Sequence, residues 1–116
     1  MERQVINFRA TDGQQLEMLT PFKSFAIDTV DYIQAHFELC ENWREYSELF
    51  AVWYIGNITK ASEIDANGTT IIPAEVLARP GILTMNLCAN LTEDNILKAR
   101  LTSYPVDVMK LTRTKK

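Results

Sequence analysis

The residue types that most often carry out chemistry are scarce in this chain of 116 residues. It contains two cysteines, Cys40 and Cys88, and a single histidine, His36. A serine or cysteine nucleophile needs a neighbouring base, and His36 is the one histidine that could act as that base. A zinc site needs three or four clustered ligands, which one histidine and two distant cysteines do not provide. The sequence therefore predicts no enzyme activity, no metal and no cofactor.

The order Cys40, Trp53, Cys88 is also found in immunoglobulin domains, where a disulfide between the two cysteines packs against the tryptophan. In residues 32–40 and 82–89, however, each cysteine falls on the face opposite to the alternating apolar set. The two sulfur atoms would therefore not meet between two sheets. We expect two free thiols.

Net charge and apolar run length disfavour two further classes of partner. The net charge of −3 disfavours an electrostatic nucleic-acid binder. No apolar run approaches the ~20 residues that a membrane-spanning helix needs. The opening residues 1–13 also lack a basic region followed by an apolar stretch, so no secretory signal is predicted. We expect no nucleic-acid partner, no membrane insertion and synthesis in a reducing cytoplasm.

Two aromatic residues lie among polar neighbours and are the candidates for contact with a partner or a glycan, Trp43 and Tyr46. Trp43 either closes the end of the core or presents its ring to a partner. If both rings were exposed, they would form a stacking platform for a carbohydrate, with Glu41, Asn42 and Glu45 as hydrogen-bonding groups. A carbohydrate- or host-surface-binding module is therefore one candidate function.

Most of the chain alternates between apolar and polar residues with a period of two, which is typical of β-strands. The clearest alternation is in residues 32–40, and residues 50–55 are apolar on both faces, as in a central strand. The other predicted strands are residues 4–9, 15–19, 62–65, 69–72, 82–89, 96–101 and 106–111. The first two of these are expected to pair as a hairpin. About eight or nine short strands separated by turns predict a single all-β domain over residues 1–116, either a sandwich or a barrel.

Turn residues separate the predicted strands. Asn67-Gly68 provides the positive φ angles of a tight turn, so residues 62–65 and 69–72 are predicted to form a hairpin. The remaining predictions are a helical turn that begins with a proline in residues 73–78, a loop with one helical turn in residues 41–48 and a polar turn in residues 90–95.

Four short segments carry a resemblance to a known family: Asn67-Gly68, residues 71–77 with the sequence IIPAEVL, Pro80-Gly81 and the strand in residues 83–87. Over most of its length the chain resembles the small immunoglobulin-like domains at the N-termini of tailed-phage structural proteins. The resemblance is to baseplate, tail-fibre and head-fibre components of phages of Gram-positive hosts. It implies an antiparallel, immunoglobulin-like β-sandwich with one or two short helical turns.

The domain of that family is not catalytic, so the resemblance transfers no active-site residues. It implies a virion structural protein, made in the host cytoplasm, that attaches or assembles a baseplate, tail or head appendage through protein–protein contacts. The expected partners are other virion structural proteins and further copies of the chain, with a homotrimer favoured. No fibre follows Lys116, so we expect an adaptor, a capsid decoration subunit or one piece of a longer protein.

Overall fold

The computed structural model describes residues 4–11, 14–27 and 33–113, which consist mainly of β-strands. Ten strands are numbered in chain order: β1 Gln4–Ala10, β2 Leu16–Met18, β3 Ser24–Ala26, β4 Ile33–Leu39, β5 Glu48–Ile55, β6 Ile58–Glu63, β7 Thr69–Ile71, β8 Gly81–Glu93, β9 Ile96–Thr102 and β10 Val106–Thr112. Helix α1 spans Glu41–Arg44, and a short 3₁₀ helix spans Ala74–Leu77. The predicted all-β class with one or two short helical turns is confirmed.

Two sheets pack face to face around one core. The small sheet has the strand order β2-β1-β4-β7, and the large sheet has the order β3-β10-β8-β5-β6, with β9 added along β8. Phe8 and Phe37 of the small sheet stack in the core with their ring centroids 5.0 Å apart. Trp53, Met85 and Leu87 of the large sheet are fully buried. The predicted sandwich is therefore confirmed, because alternate side chains of both sheets meet between the layers.

Strand β8 crosses the middle of the large sheet and has 13 residues. It pairs with β5 along one edge, and with β10 and then β9 along the other. Ser103 lies between β9 and β10, where its N–H donates to the Leu87 carbonyl at 2.9 Å and its hydroxyl accepts from the Leu87 N–H at 2.8 Å. Ser103 thereby takes the place of a strand partner between β9 and β10, so the N–H and the carbonyl of Leu87 are both hydrogen-bonded.

The strand directions match the sequence prediction in part. The first predicted hairpin is confirmed, since β1 pairs antiparallel with β2. Two pairs depart from the antiparallel pattern, because β1 runs parallel to β4 and β3 runs parallel to β10. In both cases the chain crosses to the other sheet between the two partners. No hairpin then fixes their relative direction, which is set by the path of the chain.

The hairpin predicted around Asn67-Gly68 is wrong. The turn itself forms, and the Asp65 carboxylate accepts hydrogen bonds from the N–H groups of Asn67 and Thr69, each at 2.9 Å. However, β6 pairs with β5 in the large sheet, and β7 pairs with β4 in the small sheet. The turn therefore connects the large sheet to the small sheet, because the strands on either side of it pair in different sheets.

The polar turn predicted for residues 90–95 is shorter in the structure. Strand β8 continues to Glu93, and the two-residue turn consists of Asp94 and Asn95, with φ angles of +53° and +64°. Positive φ at both residues matches the turn to the twist of the flanking strands, and Asp and Asn tolerate this conformation. Most of the polar segment is therefore strand.

We predict that Gly68→Ala destabilises the fold more than Gly56→Ala, although both glycines have positive φ angles, +81° and +57°. A Cβ at position 68 would lie 2.7 Å from the Phe37 carbonyl oxygen, whereas a Cβ at position 56 meets no atom within 4 Å. We expect a loss of about 1 kcal/mol for Gly56→Ala from backbone strain. Gly68→Ala should cost about 1–3 kcal/mol more because the backbone must move.

Urea denaturation of both variants, followed by circular dichroism, measures this difference. Equal losses of stability would show that the tight approach of the turn to β4 is not a constraint on the fold.

Candidate interaction surface

Trp43 closes one end of the sandwich and does not stand on the surface. Helix α1 carries it inward, where its side chain is fully buried and its indole N–H donates to the Thr11 carbonyl at 3.2 Å. Tyr46, just after the helix, is half-buried and packs against the same core. Because the Trp43 ring has no exposed face, it does not form the stacking platform that a carbohydrate-binding module requires.

The candidate nucleophile and base residues do not form a common site. Cys40 and Cys88 form no disulfide with each other. His36 faces outward from the small sheet, where its Nδ1 lies 3.3 Å from the Thr69 hydroxyl, whereas Cys88 lies on the outer face of the large sheet and is 8% exposed. Within residues 4–11, 14–27 and 33–113, no three His, Cys, Asp or Glu side chains lie together as a metal site would require. No helix in these ranges is long and apolar enough to span a bilayer.

Two surface depressions of about 340 Å³ each lie near the ends of the strands. The first is lined by Phe37, Arg44 and Asp65 among others, and the second by Arg9 and Cys40 among others. His36 lines neither depression. Glu38 also lines the second depression, where its carboxylate is paired with Arg9 at 3.4 Å.

The outer face of the small sheet is mainly polar, with Val5 and Ile71 as its apolar residues. Arg9 in the middle of this face forms ion pairs with Glu17 at 3.6 Å and with Glu38 at 3.4 Å. His36 and Gln34 point outward from the same strand as Glu38. Such a composition is expected where one face of a sheet meets water.

The outer face of the large sheet differs sharply, because apolar residues occupy it. Its apolar residues are Phe50, Val52 and Tyr54 on β5, Ile82 and Cys88 on β8, and Leu97 on β9. We refer to these six residues as the outer apolar face. The three β5 residues are half-buried by neighbours on their own sheet, while Ile82 and Leu97 are 43% and 49% exposed. In a two-layer sandwich this face points away from the core, so the fold itself does not explain its composition.

The polar atoms within the outer apolar face are bonded to one another. The Tyr54 hydroxyl donates to the Asn86 Oδ1, and the Asn86 Nδ2 donates to the Cys88 Sγ at 3.4 Å. Asn86 is 6% exposed, so its amide is satisfied without water. Burial, and secondarily the charge of Cys88, raise the pKa of Tyr54 above its ordinary value of 10.0. A partner could cover this centre without breaking hydrogen bonds to solvent.

Charged residues surround the centre of this face. Glu48 on β5 and Arg100 on β9 stand on either side of Asn90, and the Arg100 Nε donates to the Asn90 Oδ1 at 2.9 Å. Asp107 on β10 accepts a hydrogen bond from the Thr84 hydroxyl at 3.0 Å. An uncharged centre inside a polar rim is the usual arrangement of a protein–protein interface.

The sequence contains one signal that could have revealed this surface. Residues 50–55 are apolar on both faces, and they were interpretable as a central strand covered on both sides. Strand β5 does lie between β8 and β6, but only one of its faces meets the other sheet. The fold therefore does not explain why the residues on the other face of β5 are apolar.

Comparison with known proteins identifies a similar fold but does not assign the chain to a family. No protein-family model matches the chain, and no curated protein sequence matches it. Among solved structures, the chain is similar to the N-terminal domain of phage TP901-1 ORF48, with a TM-score of 0.57 and 10% identity. The match covers 95% of this chain and 99% of that domain. At this identity the similarity establishes a shared fold, and it supports the sandwich architecture over nearly the entire chain.

Replacing Trp43 with Ala is expected to lower the free energy of unfolding by about 3–5 kcal/mol, because a large cavity opens at the end of the core. Trp43→Phe retains most of the ring and loses the hydrogen bond to Thr11, so it should cost less. Urea denaturation measures both variants. An alanine variant as stable as the wild type would contradict the assignment of Trp43 to the core.

Tyr54→Phe is expected to weaken the decline of stability at alkaline pH. Below about pH 10 Tyr54 is protonated in both the folded and the unfolded chain, so its contribution is complete there. Above that pH the unfolded chain releases the proton first, and stability falls as the pH rises through the raised folded-state pKa of Tyr54. Urea midpoints of wild type and variant between about pH 8 and pH 11 test this. Parallel curves would show that the Tyr54 pKa is not raised.

Proposed function

We propose that this chain is a phage virion structural protein that helps to attach or assemble a baseplate, tail or head appendage through protein–protein contacts. The observation that carries the proposal is the outer apolar face, with its uncharged centre and charged rim. The similarity of fold to a phage domain supports a virion as the setting. The proposed partners are other virion structural proteins and further copies of the chain.

The composition of the outer apolar face suits a docking role. Aromatic residues such as Phe50 and Tyr54 contribute much of the binding energy in interfaces, especially where neighbouring side chains exclude water. Each Å² of apolar surface that a partner covers contributes roughly 25 cal/mol before the costs of association. Because Asn86 and Tyr54 already satisfy each other, the centre adds little desolvation cost.

Virion symmetry gives such a face a further role. A particle repeats the same contact many times, so one modest interface per subunit is sufficient for stable incorporation. A structural subunit also needs no catalytic group, and its function depends on surface shape and composition. The proposal therefore places the functional residues on β5 and β8.

The proposal is tested by incorporation into particles of the phage that encodes the chain. We expect the wild-type protein in purified particles, and we expect Val52→Asp to be folded yet absent from them, because a charge enters the centre of the docking face. Gln34→Asp is the matched control, since it adds the same charge at a half-buried outward position on the small sheet. Quantitative mass spectrometry of the particles provides the measurement.

Thermal melting of the purified variants distinguishes lost docking from lost folding. If Val52→Asp does not fold, Ala61→Asp replaces it, because Ala61 is an exposed neighbour of Val52 on β6. Absence of the wild-type protein from particles would contradict the proposal. Incorporation of a folded Val52→Asp or Ala61→Asp variant at the wild-type level would contradict the choice of surface.

A further inference from the structure

We infer that a second copy of this chain covers the outer apolar face, in a two-fold dimer whose axis runs along β8, in place of the homotrimer that the resemblance favours. The inference rests on the proposed function, since it names the partner of the same face. Three features of the described residues support it: the area of the face, the placement of its charges and the position of β8 at its midline.

The part of the face that a two-fold axis along β8 covers has the area of a small dimer interface. From Ile82 to Thr92 it extends along ten residue steps of β8, about 34 Å at ~3.4 Å per residue. Across the sheet, the part centred on β8 includes three strand widths, about 14 Å at ~4.8 Å each, with β5 on one side and β10 and β9 on the other. The resulting flat area of roughly 490 Å² per partner is at the low end of specific interfaces, as expected of a weak dimer.

At the level of Asn90, strand β8 separates two opposite charges of the face. On the β5 side, Glu48 lies level with Asn90, and on the β9 side Arg100 lies level with the same residue. They are two strand spacings apart, about 10 Å, and they form no ion pair with each other among the described residues. Each is therefore placed to meet an opposite charge on a partner.

A two-fold axis along β8 brings these charges together. Rotation about this axis places the β9 side of the second copy above the β5 side of the first, at the same level along the strands. Glu48 then faces Arg100 of the second copy, and the symmetry generates this contact twice. By the same rotation Phe50 faces Thr102 of the second copy, and Tyr54 faces Asp107 of the second copy.

The other two-fold arrangement is disfavoured by charge. If the axis crossed the strands at Asn86, the end of the face that carries Arg100 would cover the end that carries Lys110. These residues are level with Asn90 and Ile82, which are equally far from Asn86 along β8. The arrangement would set like charges against each other twice, which costs affinity. The charge pattern thus selects the axis along β8.

The association state of the purified chain under reducing conditions tests this dimer. Sedimentation equilibrium of the wild type should give twice the chain mass of 13.3 kDa. Glu48→Arg should weaken the dimer at least tenfold, because it sets two positive charges against each other at both symmetric contacts. The double variant Glu48→Arg with Arg100→Glu should restore wild-type affinity, since the two charges merely exchange places.

Glu75→Arg is the matched control, because it makes the same charge reversal at an exposed position on the 3₁₀ helix. It should leave the dimer unchanged. A monomer or a trimer for the wild type would overturn the inference. So would a dimer that is insensitive to Glu48→Arg, or a double variant that remains as weak as the single one.

The two proposals fail in different ways. If the wild type is monomeric while its incorporation into particles depends on Val52, the docking role stands and another virion protein occupies the face. If the wild type is a dimer that depends on Glu48 and Arg100 but is absent from particles, the dimer stands and the virion role is overturned.

Discussion

The pairing of β8 on both of its edges is the constraint on which the rest of this structure depends. A buried strand must satisfy its backbone N–H and carbonyl groups, and β8 pairs with β5 on one edge over residues 84–90 and with β10 and β9 in succession on the other. Ser103 fills the interval between those two strands. Because β8 is thus fixed in register, its alternate residues present one row to the core and one row to the outside.

That outward row links the fold to the proposed function. Asn86 and Cys88 are buried on the side that has no second layer, and the Tyr54 hydroxyl of β5 donates a hydrogen bond to Asn86. The small sheet places ion pairs and amides at its equivalent outer positions. The difference between the two outer faces is a difference in what they are expected to meet, water in one case and protein in the other.

The similarity to a phage domain at 10% identity agrees with this division of roles. A sandwich requires alternation, compatible turns and a filled core, and many side-chain sets fulfil those requirements. The outer faces are under no such requirement, so their residues belong to the function of each particular chain. The fold therefore indicates the architecture, while the proposal about partners rests on Phe50, Val52 and Tyr54.

The sequence by itself determined the local structure of this protein. Alternation located the long strands, among them the strands that carry Phe37 and Trp53 into the core, and turn residues marked the helical turn before β8. Only the tertiary structure decided that β6 and β7 belong to different sheets and that β1 lies parallel to β4. It also decided that the second face of β5 is left without a covering layer. The physical reason is that alternation specifies which side chains share a face, whereas burial depends on segments that are distant in the chain.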